Sequence, residues 1–418
     1  MRWATTTIGE HCTVTSSKRF HLSERSSEGV PFYCSKEIIQ KVKGQEVIEC
    51  DYIREEFYES VKEQFGVPQA GDLLITTRGT YGIPYIYTDT DRFYFADGNL
   101  TWLKDFDGSL IPQYLYYWVL SYEGQKKIDA IAKGTAQKAV PIASIKMLEL
   151  QLPPVKMQHH IVAILSAYDG LIENNQKQIK LLEEAAQRLY KEWFVDLRFP
   201  GYENTPVVDG VPKGWKRVTI GDCLTMHIGG GWGKETPTGK NTYRGRVVRG
   251  TDINDIKAGR FRDIPVRFHT ENDMKNRRLQ VDDIVFELSN GNINNIGRSI
   301  MIDKLLLQNC GENTICASFC KLLRPKDKLH AIVLYWEIQD MQASGRMLPL
   351  KKHGSNGINN FDFDGFLKHK LLLPSKSEHI APFETVMRKI NNIQSQFSLL
   401  LEARDRLLPK LMSGELGV

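Results

Sequence analysis

Most of the marks of an enzyme are missing from these 418 residues. No Gly-x-x-x-x-Gly-Lys-Ser/Thr loop is present to cradle a nucleotide phosphate. The nearest imitation is GGGWGKE at 229–235. It has Ile228 where the first glycine belongs and Glu235 in place of the hydroxyl, so it reads as a flexible loop. No His-Glu-x-x-His zinc pair occurs, and the ten histidines are scattered. His159 and His160 open a helical stretch, where a surface or interface role fits better than catalysis. The seven cysteines, at 12, 34, 50, 223, 310, 316 and 320, include no Cys-x-x-Cys pair. Cys310, Cys316 and Cys320 cluster without a histidine at finger spacing, so reduced thiols are expected and no metal site is. No apolar run approaches the ~18 residues of a membrane span. The start, MRWATTTIGEHC, has no apolar signal core, so a cytoplasmic location without a membrane partner is expected. Neither charge sign dominates. Lys and Arg number 55 against 50 Asp and Glu, a net +5 that permits a polyanion partner without demanding one.

What is present is written twice. Trp3, Ile8, Gly9 and Glu10 recur as Trp215, Ile220, Gly221 and Asp222. GDLLITTRGT (71–80) recurs loosely as DDIVFELSNG (282–291), and LYYW (115–118) as VLYW (333–336). LQLP (150–153) recurs as LLLP (371–374), and LLE (181–183) as LLE (400–402). Each match is weak alone. Their colinear order over half the chain length is evidence of duplication. Each half opens with a mixed section. Short β-like runs such as DLLIT (72–76), DIVFE (283–287) and SIMI (299–302) lie between Gly and Asn turns, with a helical stretch at 111–121.

Each half closes with a long helix. From 155 to 195 the apolar positions Ile161, Leu165, Tyr168, Ile172, Ile179, Leu182, Ala186, Leu189 and Trp193 alternate four and three apart, with Asn175 in the remaining slot. That is a heptad seam. A second seam runs through Phe383, Val386, Ile390, Ile393, Phe397, Leu400, Leu407 and Leu411, with Arg404 in its odd slot. Pro382 suits the first turn of that helix, and Pro409 is expected to kink or end it. A helix of about 40 residues is ~60 Å long. Two such helices with apolar stripes satisfy each other as a coiled coil, antiparallel if a pseudo-two-fold axis relates the halves, with Asn175 fixing register. The competing reading is two separate core helices.

Two similar heads on a rigid spacer suit a target with two sites along a rod, and DNA is such a rod, with half-sites on one face ~34–36 Å apart. Heads of different sequence imply a bipartite, asymmetric target. Residues 243–278 hold ten Arg and Lys against five Asp and Glu, an excess equal to the +5 of the whole chain. Arginine suits bidentate contact with guanine or phosphate, which nominates Arg244, Arg246, Arg249 and Arg298. The loops SNGNINNIGR (289–298) and HGSNGINN (353–360) offer Asn290, Asn292, Asn294 and Asn356 to adenine edges, or are merely turns, with Lys351 beside them. In the first half, TTRGTYG (76–82) and KGTAQK (133–138) hold the corresponding places, nominating Thr77, Arg78, Thr80, Tyr81, Lys133 and Lys138.

At this point the chain resembles the specificity subunit of Type I restriction–modification enzymes. The resemblance rests on the repeat, on residues 152–201 and the restart VPKGWKRVTIGD (211–222), and on RVVRGTDI (246–253), LLPS (372–375) and the tail RLLPKLMSGEL. It covers essentially the whole chain and is most specific in the central segment. QHHIVAIL (158–165) departs from it, since the family commonly has a Glu-Gln pair before the isoleucine, and SEHIAPFETV (377–386) departs similarly. The resemblance implies a mixed α/β (α+β) fold: two pseudo-two-fold-related target recognition domains separated by an antiparallel two-helix coiled coil. The expected boundaries are 1–152 and 213–373 for the recognition domains, 153–198 and 374–418 for the long helices, and 199–212 for a linker. It also implies double-stranded DNA as target and two modification subunits docked on the helices, with restriction subunits in the full complex. Ile161, Leu165, Ile172, Asn175, Ile179, Leu182, Leu189, Trp193, Ile390, Phe397, Leu400 and Leu407 are the expected coiled-coil and docking positions. Adenine methylation with S-adenosylmethionine, and cleavage with ATP and magnesium, are implied for the partners, with no cofactor in this chain. The Asn/Asp-Pro-Pro-Tyr/Phe motif in which adenine methyltransferases resemble one another is absent, and the only Pro-Pro stands in LPPV. A non-catalytic recognition subunit is therefore expected. The alternatives are a two-headed protein–protein scaffold and a DNA-acting enzyme with unrecognised catalytic residues.

Overall fold

A computed structural model describes residues 3–21, 24–47, 49–134, 138–354 and 357–417. The chain divides into two compact units: 1–173 with 400–418, and 174–399. Both divisions fall inside long helices, Val155–Tyr190 and Ala381–Met412. Among the described residues no helix is long and apolar enough to cross a membrane.

In the first unit, strand Ala4–Thr7 pairs antiparallel with Glu149–Leu152, and the Ile8 N–H donates to Leu148 O at 3.0 Å. The central antiparallel sheet has the order Thr13–Thr15, Leu100–Lys104, Leu73–Thr76, Pro84–Ile86. All of Leu73–Thr76 is buried, which is why this strand reads as a continuous apolar run rather than an alternating one. A second sheet joins Arg25–Ser26, Asp51–Ile53, Val30–Tyr33 and Tyr94–Phe95, the last pair parallel. Helix Pro112–Leu120 starts on a proline whose missing N–H costs nothing in the first turn. It buries Tyr114, Leu115 and Trp118 in a core shared with Ile8, Ile161, Leu165 and Leu411.

The second unit repeats this plan. Strand Lys216–Thr219 pairs antiparallel with Lys370–Leu373, and the Ile220 N–H donates to His369 O at 2.9 Å. Its central sheet runs Leu224–Gly229, Cys320–Pro325, Ile284–Glu287, Ser299–Met301. Its smaller sheet runs Val266–His269, Tyr243–Val248, Ile315–Cys316, again with the last pair parallel. The repeated Ile-Gly-acid has one purpose in both places. Glu10 accepts from the Thr7 N–H at 3.1 Å and Asp222 from the Thr219 N–H at 3.0 Å, each closing the turn after the first strand.

The two long helices run antiparallel within each unit. In the first, Arg404 Nη1 meets Asp169 Oδ1 at 2.9 Å, while Ile161 and Leu165 share a core with Leu411 and Met412. In the second, Gln178 and Leu182 line one groove with Lys389 and Ile393, and the Tyr190 ring stands 6.3 Å from Phe383. Ile161, Leu165, Ile172, Asn175, Ile179, Ala186, Ile390 and Phe397 are buried, while Leu182, Leu400 and Leu407 are half-buried. After Ala186 the buried face moves one residue on, to Tyr190 and Phe194, leaving Leu189 and Trp193 half-buried. A straight α-helix drifts against a seven-residue repeat, and here the helix docks in the second unit's core together with Phe383 of its partner helix. Its last stretch, Lys191–Val195, is π-helical. Asn175 Nδ2 is buried without a hydrogen-bond partner among the described residues.

Pro409 does not end the terminal helix, which runs through to Met412. The final turn is held by burial of Leu411 and Met412, and Pro409 O accepts from the Ser413 N–H at 3.0 Å. The stretch expected as linker, 199–212, carries a small hairpin, Val207–Val208 with Val211–Pro212, and is anchored by Phe199, whose ring lies 4.7 Å from Trp215.

Candidate nucleic-acid interface

In each unit the loop after the central strand is zipped to a loop far along the chain. In the first, Ala139 bridges both Arg78 and Lys133. The Val140 N–H donates to Thr77 O at 2.8 Å, and Lys133 and Ala139 exchange both backbone bonds at 2.8 Å. Gly82 returns the loop, its N–H donating to Thr76 O at 2.7 Å with φ +78°, a conformation that favours glycine. Thr77 is buried, and its hydroxyl donates to Gly98 O at 3.2 Å, so it shapes the loop from inside. Arg78, Thr80, Lys133 and Lys138 are exposed. None of these three cations forms an ion pair among the described residues. Three like charges gathered without a counter-charge make a place for a polyanion. The Tyr81 hydroxyl is tied to Asp129, which pushes its pKa up.

In the second unit the corresponding loops join at Asn290 and Asn359, whose backbones exchange bonds of 3.2 and 3.0 Å. Asn290 is consumed in building the loop. Its Nδ2 donates to Glu287 Oε1 at 2.6 Å, and its Oδ1 accepts from the Asn292 N–H at 2.7 Å. Asn292 Oδ1 caps the Asn294 N–H at 2.9 Å. The Asn292 and Asn294 side chains are exposed, with their amide nitrogens directed to no partner among the described residues. Lys351 is half-buried, and that burial lowers its pKa. Asn356 lies outside the described residues.

The arginines divide. Arg244 is exposed and forms no ion pair among the described residues. Arg246 Nη1 donates to Ile264 O at 2.8 Å. Arg249 grips Asp252 through Nη2 at 2.6 Å and reaches Asp263 O at 3.1 Å; the bond to Asp252 raises its pKa. Arg298 Nε donates to the buried Glu287 Oε2 at 2.8 Å, and its Nη2 to Gly250 O at 3.1 Å. These three guanidinium groups hold the domain together. Four more cations of the basic stretch 243–278 are ion-paired: Arg260 with Asp255, Arg267 with Glu235, Arg277 with Asp273 and Lys257 with Glu183.

Each loop pair leans on a turn that carries no motif. The Thr77 N–H donates to Asn99 O, and the Leu288 N–H to Phe319 O, both at 2.8 Å. Asn99 and Phe319 are structural equivalents, and Phe319 is 57% exposed. A lone phenylalanine between a cysteine pair carries no sequence signal. Only the equivalence of the two turns exposes it.

Residues 1–184 match the family model described as the Type I restriction modification DNA specificity domain. That stretch of the chain thus carries a Type I specificity domain. A putative Type I restriction enzyme specificity subunit of Haemophilus influenzae is 28% identical over 185 residues, 44% of this chain and 45% of that relative. The MjaIX specificity subunit of Methanocaldococcus jannaschii is 24% identical over 377 residues, 83% of this chain and 78% of that one. The S subunit of a Type I system from M. genitalium shares the fold, with a TM-score of 0.51, 16% identity, and coverage of 98% of this chain and 96% of that one. The chain is thus built from two copies of one α+β plan, each with an antiparallel helix pair.

Proposed function

We propose that this specificity subunit binds double-stranded DNA at a split, asymmetric site, and that each unit reads one part of it. The observation that carries the reading is the duplicated loop pair. In both units backbone bonds join the loop after the central strand to a distant loop, Val140 to Thr77 in one and Asn290 with Asn359 in the other, yet the exposed side chains differ: Arg78, Thr80, Lys133 and Lys138 in one, Asn292 and Asn294 in the other. A conserved frame with different exposed groups is what two different half-sites require.

The chain acts as a recognition subunit without catalysis of its own. Adenine methylation and cleavage belong to modification and restriction subunits, which bring S-adenosylmethionine, ATP and magnesium. The long helices serve as spacer and docking surface. Leu171, Leu181 and Leu399, exposed by 51, 63 and 67%, are apolar area on those helices for a partner to cover. The complex works in the cytoplasm, where the DNA is.

The test is an adenine-methylation map of the genome with and without this chain. Loss of methylation at one split motif is the expected result. An unchanged map, together with DNA affinity that does not fall with salt, would instead favour a protein scaffold.

A further inference from the structure

Trp232 is an exposed tryptophan whose position is fixed by its backbone. It is 40% exposed and sits in the glycine loop at 229–233. The Gly230 N–H donates to Cys320 O at 3.0 Å and the Gly231 N–H to Cys316 O at 2.9 Å. On the far side, Lys234 and Phe268 exchange bonds of 2.9 and 2.8 Å. A Cβ at Gly230 would come within 2.2 Å of Ala317 O, and one at Gly233, where φ is +73°, within 2.6 Å of Phe268 O. The glycines are there because the backbone is threaded between two strands. The loop is therefore a pinned hairpin, not the flexible segment its composition suggests.

Its surroundings are those of a polyanion contact. The Arg267 guanidinium lies 4.8 Å from the ring centre of Trp232 and is held from behind by Glu235 at 3.2 Å and Val266 O at 2.9 Å. Lys234 and Arg244 flank Phe268 on its two sides, one through the bridge and one through strand pairing. Both are exposed without an ion pair among the described residues. The Ala317 carbonyl that abuts Gly230 belongs to the turn carrying Phe319, and Phe319 O accepts from Leu288 at the start of the asparagine loop. Backbone contacts thus tie the loop that carries the indole to the turn that carries Phe319, and that turn to the start of the asparagine loop.

We propose that Trp232 is a DNA-stacking residue of the second unit: its indole packs on a nucleobase at the edge of the half-site, with Lys234 and Arg244 on the flanking phosphates. This rests on the DNA reading above. An aromatic face beside unpaired cations matches a base between phosphates, whereas a protein partner would leave those cations without counter-charges.

The experiment uses the full chain with its modification subunits, and a duplex carrying the methylated motif found by mapping. Trp232→Ala is expected to weaken binding on the order of ten-fold, the scale of one base–aromatic stack, while Trp232→Phe keeps most of the affinity. Both variants should melt with the wild type. Abasic substitutions across the second half-site should reveal one position whose loss weakens the wild type but not Trp232→Ala, a coupling that general destabilisation cannot imitate. Affinity of Trp232→Ala within about two-fold of wild type, strictly additive abasic effects, or loss of subunit assembly in place of DNA binding would each overturn the proposal. A wild-type complex that fails to bind the duplex would overturn the DNA reading itself.

Discussion

In the first unit the central strand ends at Thr76, whose hydroxyl accepts from the Ile83 N–H at 2.9 Å. In the second, the equivalent position is Glu287, a buried carboxylate answered by Arg298 at 2.8 Å. At the other end of the same strand the contrast recurs. Asp72 accepts from the Trp102 indole at 2.7 Å, while Asp283 accepts from Arg324 at 2.8 and 2.7 Å. The first unit packs its second sheet with rings, Tyr33 and Tyr87 standing 4.6 and 4.9 Å from Phe93. The second ties the matching region with Arg249 and Asp252. One backbone plan thus tolerates either aromatic packing or internal ion pairs. It follows that arginine content is a poor guide to which unit presses harder on a polyanion. The first unit, poorer in arginine around its loops, leaves three cations open there; the second spends most of its arginines on itself.

The largest effect expected from this contrast concerns stability. Removing one member of a buried ion pair strands the other, so Arg298→Ala should cost about 3 kcal/mol. Thr76→Ala at the equivalent place should cost about 1 kcal/mol. Denaturant unfolding of the two variants measures both, and equal losses would erase the distinction. Any loss of recognition in Arg298→Ala would then follow from a weakened domain.

Acid should separate the units next. Burial lowers the His269 pKa from 6.5, against the pull of Asp273, and neither ring nitrogen has a hydrogen-bond partner among the described residues. A depressed histidine contributes stability that is complete above its unfolded value and is lost as pH falls through the folded one. His227, lowered by burial and by Lys321, adds in the same direction. In the first unit, against an opposing pull from burial, hydrogen bonds from Ser109 and His11 hold Asp107 down at about 2. Its contribution is lost only as pH falls from about 3.8 toward 2. Thermal melting between pH 7.5 and pH 5, roughly spanning the histidine range, should show a loss that His269→Leu removes. An equal loss in the variant would place the sensitivity elsewhere.

The smallest effect is electrostatic. Lys138→Ala should weaken DNA binding about equally for all sequences and reduce the salt slope by roughly 0.9, while Asn294→Ala should leave the slope alone and alter sequence preference. Titration at several salt concentrations separates these outcomes, and a changed slope for Asn294→Ala would reassign it to the backbone.

Much of this architecture was legible before any coordinates. Short continuous apolar runs and the period-seven pattern report burial directly, so the strands at 73–76 and 284–287 and both long helices stand where their apolar residues put them. That 76–82 and 133–138 hold the places of 289–298 and 353–360 was visible in the repeat, but the bridges that join them, Arg78 to Ala139 and Asn290 to Asn359, were not. What stayed hidden was the fate of each charge. Arg298 and Glu287 are eleven residues apart and Arg324 and Asp283 forty-one, so no local count distinguishes a paired arginine from an open one. Phe319 and Trp232 were hidden for another reason. Their significance lies in exposure, and an exposed aromatic residue looks like a core one in a sequence.

The central claim is that two differently filled copies of one plan read two parts of one site. Replacing residues 1–152 with the first domain of another family member, then mapping adenine methylation, tests it most directly. The account predicts that one half of the methylated motif changes and the other half stays as it was. A motif altered in both halves, or in neither, would contradict it.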